Sequence, residues 1–383
     1  MPLSTGKVAF VTGANGISGH AIIEYLVKQP ESEWSQIIAT SRRPLTHSWI
    51  DPRVSFVALD FLEPAETLAR KLGPSCKDVT HAFFTSYVHV ADFKLLREKN
   101  VPLFKNFLDT IDDICPKLER VVLQTGGKHY GVHLGPVKRV PSVEDKPRYE
   151  DPNNFYFPQE DYMFALQQKR RTWHWSVIRP NGIIGFTPHG SGMSEALTLG
   201  IYFLLCRELN EPARFFGNEY MWNTLDDKSS STGLAKMSVW AATEEHTKDE
   251  AFNYVNGDVF TWRALWPELA AYYGADCPPP KWDRAAGQHE TLTTEFDLVE
   301  WSKDKGELWE RIVSKYGGKV EAWGWTSWDA EMWAFGRSWQ TISSMTKARK
   351  FGWTHHEDTH ENYFATLKSL ENAGILPAFK KEQ

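Results

Sequence analysis

Lys128 and Tyr156 are the residues best equipped for chemistry in this chain. An ordinary tyrosine titrates near ~10, so it keeps its proton at pH 7 and can donate a hydrogen bond to an oxygen on which negative charge develops. An ammonium nearby lowers the phenol's pKa and shapes the local field. Tyr156 lies in Asn154-Phe155-Tyr156-Phe157-Pro158-Gln159-Glu160-Asp161, and Lys128 in Gln124-Thr125-Gly126-Gly127-Lys128-His129-Tyr130. None of the 13 tyrosines is followed four residues later by lysine, the spacing that would set both groups on one helix face. A catalytic pair is either assembled from separate segments or absent. The structural alternatives are a buried Tyr156 capped by Glu160 or the backbone, and a Lys128 that is a surface lysine closing a strand.

The groups that would hold a nucleotide lie near the start. Gly13-Ala14-Asn15-Gly16-Ile17-Ser18-Gly19 follows the strand-like Lys7-Val8-Ala9-Phe10-Val11-Thr12 and opens an amphipathic helix ending near Pro30. Glycines there permit a tight turn and close approach of a pyrophosphate to backbone N–H groups at the helix N-terminus. An acidic residue about 20 residues on would mark NAD. This chain has Ser41-Arg42-Arg43 instead, two guanidiniums suited to a 2′-phosphate, so NADP(H) is the expected cofactor. The alternative is a solvated basic turn. Asp60 ends the third strand, where it is expected to accept from the adenine amino group, and Thr85 and Ser86 end the fourth, near the expected cofactor ribose.

These groups need a scaffold of alternating strands and helices, and the chain supplies one. Further β-like runs occur at Gln36 to Thr40, Val54 to Asp60, Val79 to Thr85, Arg120 to Gln124 and Trp175 to Arg179, with helical segments such as Phe104 to Ile114 between several of them. That beat predicts an α/β fold, a Rossmann-type doubly wound parallel sheet over residues 1–190, with a return segment near 220–262. Residues 191–383 lose the beat, are broken by Pro278-Pro279-Pro280 and Gly317-Gly318, and read as a mostly helical lobe covering the substrate.

Composition narrows the partners. With 383 residues, 42% hydrophobic, the chain can bury a large core, and a formal charge of −6 without basic clusters argues against nucleic acid or an anionic membrane. The apolar run Ala196 to Cys206 is too short to span a bilayer and reads as a buried or amphipathic helix. No signal peptide precedes the first strand, and Cys76, Cys115, Cys206 and Cys277 form no C-x-x-C pattern, so a cytoplasmic protein is expected. A monomer or homodimer is the expected state. Many of the 17 tryptophans follow Trp222, including Trp323, Trp325, Trp328, Trp333 and Trp339. They serve either core packing or an aromatic cavity.

The segments around Lys128 and Tyr156, together with Arg179-Pro180-Asn181-Gly182-Ile183-Ile184-Gly185-Phe186, resemble the progesterone 5β-reductase/iridoid synthase-like family of extended short-chain dehydrogenases. Gly257-Asp258-Val259-Phe260-Thr261-Trp262, Ser344-Met345-Thr346-Lys347 and Phe351-Gly352-Trp353 extend the likeness over nearly the whole chain. Gly127 stands where the family commonly has arginine. The resemblance implies Lys128 and Tyr156 as the catalytic pair. It also implies NADPH-dependent reduction of a carbon–carbon double bond conjugated to a carbonyl, the β-carbon receiving hydride and the carbonyl oxygen becoming an enolate. The expected cofactor set is Gly13, Asn15, Gly16, Ile17, Gly19, Ser41, Arg42, Arg43, Asp60, Thr85, Ser86, Thr125, Pro180 and Ile183. Other readings on the same fold are a non-redox isomerase or cyclase and an NADP-sensing protein without chemistry.

One further pattern, His356-Glu357-Asp358-Thr359-His360, matches H-E-x-x-H, which on a helix binds zinc. No further histidine follows, and Thr354-His355-His356-Glu357 reads better as a capping box for a final helix with the apolar stripe Tyr363, Phe364, Leu367 and Leu370. No metal is expected.

Overall fold

A computed structural model describes residues 6–45, 49–90, 92–149, 151–282 and 292–378. Residues 1–5, which open the segment where no signal peptide is expected, lie outside them. Seven parallel strands form the central sheet: β1 Lys7–Thr12, β2 Trp34–Ser41, β3 Val54–Ala58, β4 His81–Phe84, β5 Arg120–Gln124, β6 His174–Pro180 and, after a two-residue pair, β7 Ile183–Ile184 with β8 Ser229–Ser230, the edge strand β9 Glu250–Tyr254. The order β3-β2-β1-β4-β5-β6-β9 runs outward both ways from β1 and β4. Such a reversal opens a crevice at the carboxyl ends of the strands, where ligands bind in sheets of this kind.

Helices cover both faces, which is why the strands read as continuous apolar runs. On one face pack α1 Ile17–Val27 and the later helix Ser231–Thr243; on the other pack α2 Ala65–Cys76, α3 Phe93–Ile114 and α4 Tyr156–Arg170. The helix expected from Phe104 begins at Phe93, capped by Asp92, whose carboxylate accepts the Leu95 N–H at 2.8 Å, and it runs through Pro102. A proline inside a helix costs about 3 kcal/mol. The buried face of Leu96, Leu103, Phe104, Phe107, Leu108 and Ile111 outweighs that cost.

A third core belongs to the C-terminal half. It gathers α5 Glu195–Leu209, α6 Glu219–Asn223, which precedes the sheet-packed helix Ser231–Thr243 (α7), α8 Trp262–Tyr273 and the shorter helices beyond. The run Ala196 to Cys206 is the buried centre of α5. Trp262, Trp266 and Trp309 are fully buried, and Trp323, Trp325 and Trp328 pack against the same core. Met345 and Phe351 pack behind the sheet. No helix of the described residues is long and apolar enough to cross a membrane.

The final helix, Thr359–Asn372, corrects one expectation. Its cap is Asp358, which accepts the Glu361 N–H at 2.8 Å, and Thr354 lies outside it. His356 precedes the helix and His360 is its second residue, so the two imidazoles do not share a helix face. His360 pairs with Glu268 at 2.8 Å, while His355 lies between Glu357 and Lys236. Tyr363, Leu367 and Leu370 are buried as expected, and Phe364 is half-buried.

Candidate active site

The turn after β1 is shaped for a nucleotide. Gly13 takes φ +68°, a left-handed conformation, and a Cβ there would sit 3.0 Å from the Thr85 carbonyl. Side chains are disfavoured in that region. Gly19 brings α1 against the turn: a Cβ on it would lie 2.3 Å from the Gly13 carbonyl oxygen. Gly16 caps α1 without a side-chain hydrogen bond, leaving the first amides of the helix without a side-chain acceptor, and Ile17 begins the helix packed on Gly185. Uncapped amides and the helix dipole form an anion site.

Neighbouring strand ends tighten around that turn. The Thr12 hydroxyl accepts the N–H groups of Thr85 and Ser86 at 3.0 and 3.1 Å, and the Thr85 hydroxyl donates back to the Thr12 carbonyl at 2.6 Å. Asn15 donates to Ser41 at 2.8 Å and to the Arg43 carbonyl at 3.1 Å, joining the glycine turn to the basic turn. Arg42 and Arg43 are exposed, and Arg43 lines a cavity of about 540 Å³ with His189, Lys319 and Trp325. Asp60 accepts the Leu62 N–H at 3.0 Å through one carboxylate oxygen. At the ends of β5 and β6, Thr125 and Pro180 are buried, and Ile183 in β7 is half-buried. Here the buried polar atoms Asn15 Oδ1, Gln124 Oε1 and Thr125 Oγ1 have no partner among the described residues. Buried polar atoms are ordinarily paired, so these orphans, with the bare helix terminus, fit a bound dinucleotide.

Lys128 and Tyr156 come from different elements, as their spacing requires. Lys128 stands in the short helical turn Gly127–Tyr130 after β5; Tyr156 is the first residue of α4. Asn154 joins them: its amide donates to the Lys128 carbonyl at 2.7 Å and its oxygen accepts the Tyr156 N–H at 3.1 Å. The Tyr156 hydroxyl lies 3.3 Å from where a Cβ on Gly126 would stand, so glycine makes the room for it. Glu160 does not cap this phenol. Its carboxylate, 1% exposed, faces His129 at 3.3 Å, Arg148 at 2.9 Å and Arg179 at 3.1 Å. Burial would raise the Glu160 pKa, but these partners overcome it and hold it at about 2.

The electrostatics differ from the expectation in one respect. Among the described residues, the polar side chain within hydrogen-bond reach of the Lys128 ammonium is Tyr87, whose hydroxyl accepts at 3.4 Å; the rings of Tyr87 and Phe93 lie 5.8 and 5.7 Å away. No carboxylate among them pairs with it, and burial lowers its pKa to about 8. Tyr156 is not lowered by Lys128. Burial, then the neighbouring Tyr87, push its phenol well above the ordinary range, so it stays protonated.

Gly127 has its own explanation: a Cβ there would meet the Asn181 side-chain oxygen at 2.9 Å and Val132 at 3.3 Å. Asn181 in turn donates to Asp227 at 2.6 Å and to the Thr341 carbonyl at 2.7 Å, tying the end of β6 to the C-terminal half. Sequence reasoning assigned no role to Asn154 or Tyr87. An asparagine just before a helix is a signal for capping chemistry; Tyr87 carries no such signal. An open groove of about 1230 Å³ between α1, the start of α7 and the final helix contains neither catalytic candidate. The Lys128 ammonium, which meets Tyr87 and no carboxylate among the described residues, marks the reaction centre better than that volume does.

A family model described as a PRISE-like Rossmann-fold domain matches residues 9–365. The chain belongs to this family. Among its relatives, the short chain dehydrogenase gsfE of Penicillium aethiopicum is 40% identical, the match covering 97% of this chain and 99% of that protein. The (S)-8-oxocitronellyl enol synthase ISY1 of Nepeta racemosa is 32% identical over 98% of this chain and 95% of its own. The 3-oxo-Delta(4,5)-steroid 5-beta-reductase of Arabidopsis thaliana is 31% identical over 97% and 93%. The fold is also that of extended short-chain dehydrogenases: a UDP-glucose 4-epimerase from Thermotoga maritima superposes with a TM-score of 0.64 at 14% identity, covering 95% of this chain and 99% of the other.

Proposed function

We propose that the protein is an oxidoreductase that uses NADPH to reduce a carbon–carbon double bond conjugated to a carbonyl in a small hydrophobic substrate. The observation that carries this reading is that Asn154 ties together a protonated Tyr156 phenol and a half-buried Lys128 with no carboxylate partner among the described residues, both on segments at the carboxyl edge of the sheet. Such a centre is short of negative charge and stabilises an oxygen that acquires it. The names of two relatives support the same chemistry, one an enol synthase acting on an oxo compound and the other a reductase of Δ4,5 3-oxosteroids.

A nicotinamide dinucleotide, when bound, supplies hydride. Gly13, Asn15, Gly16, Ile17 and Gly19 would hold its pyrophosphate side, Arg42 and Arg43 a 2′-phosphate, and Asp60, Thr85, Ser86, Thr125, Pro180 and Ile183 the remaining edges. The chain's own work is electrostatic. Tyr156 donates to the substrate carbonyl oxygen as charge builds there, Lys128 keeps the local potential positive, and solvent protonates the α-carbon. Residues 1–190 with the return near 220–262 form the nucleotide half and 191–383 the substrate lobe of a cytoplasmic monomer or homodimer.

The test is anaerobic incubation of the protein with NADPH and a panel of small and steroidal enones, following nicotinamide absorbance and identifying products by mass. Stoichiometric NADPH loss with two hydrogens gained across the double bond is the expected result. Bound nucleotide that is never consumed across the panel would turn the reading to a non-redox isomerase, a cyclase or a nucleotide sensor.

A further inference from the structure

Tyr87 stands just beyond β4, on the same sheet edge as Lys128 and Tyr156. Its hydroxyl accepts a hydrogen bond from Lys128, and a phenol that accepts retains its own proton to donate onward. Among the described residues nothing takes that proton. The Phe155 ring lies against both phenols, 5.8 Å from the Tyr87 ring and 4.3 Å from the Tyr156 ring. The two phenols are near enough for the charge of one to oppose ionisation of the other. Burial pushes Tyr87 up to about 12, so it too is protonated at neutral pH. Lys128 spends its only described side-chain hydrogen bond on Tyr87.

We infer that Tyr87 is a second donor to the substrate oxyanion, so that Lys128 acts through it and the Lys128–Tyr87 relay converges with Tyr156 on one oxygen. The inference rests on the oxyanion chemistry proposed above and not on the reduction itself. It involves hydrogen bonds alone, with no bond broken in the relay. Tyr87 is therefore a catalytic residue and Lys128 a positioning and polarising one. The fork resembles a two-donor oxyanion hole, in which each donor sharpens the fit for charge and neither suffices.

The probe is 4-nitrophenolate, a stable aryl oxyanion, titrated by its absorbance into the protein saturated with NADP⁺ at fixed pH. A hydrogen bond to a charged group corresponds to roughly 10- to 100-fold in affinity. Tyr87→Phe and Tyr156→Phe should each weaken nitrophenolate by that factor while NADP⁺ affinity and melting temperature hold. Lys128→Met should weaken it in the wild-type background and add little in the Tyr87→Phe background, since the two act in series. Undiminished binding by Tyr87→Phe, an equal Lys128→Met effect in both backgrounds, or no binding by the wild type would each overturn the inference. Tyr87-dependent nitrophenolate binding in a protein that reduces no enone would remove the reductase reading and leave this one supported.

Discussion

The phenol of Tyr156 and the ammonium of Lys128 make opposite demands on the fold. Tyr156 is comfortable in its half-buried position as a neutral group, whereas Lys128 is held with no carboxylate partner among the described residues, at a cost to stability. Tyr156→Phe should lower kcat by ~10²–10³-fold, the usual loss for one oxyanion donor, with NADPH binding retained; wild-type turnover of an activated enone by that variant would exclude the assignment. Lys128 titrates at about 8, below an ordinary lysine at 10.5. Its ammonium is present below that pH and lost above it, so kcat/KM should fall as pH rises through about 8. Between about 8 and 10.5 the unfolded chain binds the extra proton, so this group makes stability rise with pH there. Lys128→Met should consequently reduce activity at pH 7 and raise the melting temperature. A variant that loses both would mean that Lys128 is a structural residue.

At the scale of elements, α4 is what sets Tyr156 in place, and Glu160 one turn along anchors it to β6 through Arg179 and to the Lys128 turn through His129. Removing one member of a buried ion network leaves the others unpaired, which costs ~3–5 kcal/mol. Glu160→Gln should show that loss in denaturant unfolding. Because the folded pKa of Glu160 lies at about 2 against an ordinary 4.5, its stabilisation is fully present above 4.5 and disappears as pH falls through about 2. The variant should flatten that acid limb. The end of the chain supplies a second test, since Asp358 and not Thr354 caps the last helix. Asp358→Ala should cost ~1 kcal/mol and Thr354→Ala much less. Asp and Thr are both residue types that cap helices. The choice falls to Asp358 because the turn through His355 to Glu357 is pinned to Lys236 and Thr232, which delays the helix by a turn.

Over the whole molecule the two halves meet at the ends of the parallel strands, and the basic turn after β2 shares a cavity with Lys319 and Trp325 of the C-terminal half. A ligand at 100 times its Kd stabilises a protein by ~2.7 kcal/mol. NADPH should therefore raise the melting temperature well above NADH at equal concentration, and Arg42→Ala with Arg43→Ala should erase that difference while leaving the NADH shift unchanged. Equal shifts in the unaltered protein would return the two arginines to a solvated turn. The sheet and its glycine turn were legible in sequence because strand burial writes apolar runs and a tight turn demands glycine at Gly13 and Gly19, constraints that act between near neighbours. The partners of the charges were not legible. That Lys128 faces Tyr87 instead of Tyr156, that Glu160 serves His129 and Arg179, and that Asn154 ties the two catalytic segments together depend on contacts between residues 19 to 41 positions apart. Side-chain identity and local spacing determine which groups can react and which elements carry them; only the packing of those elements decides which group each one meets, because the field at a buried charge is set by neighbours in space.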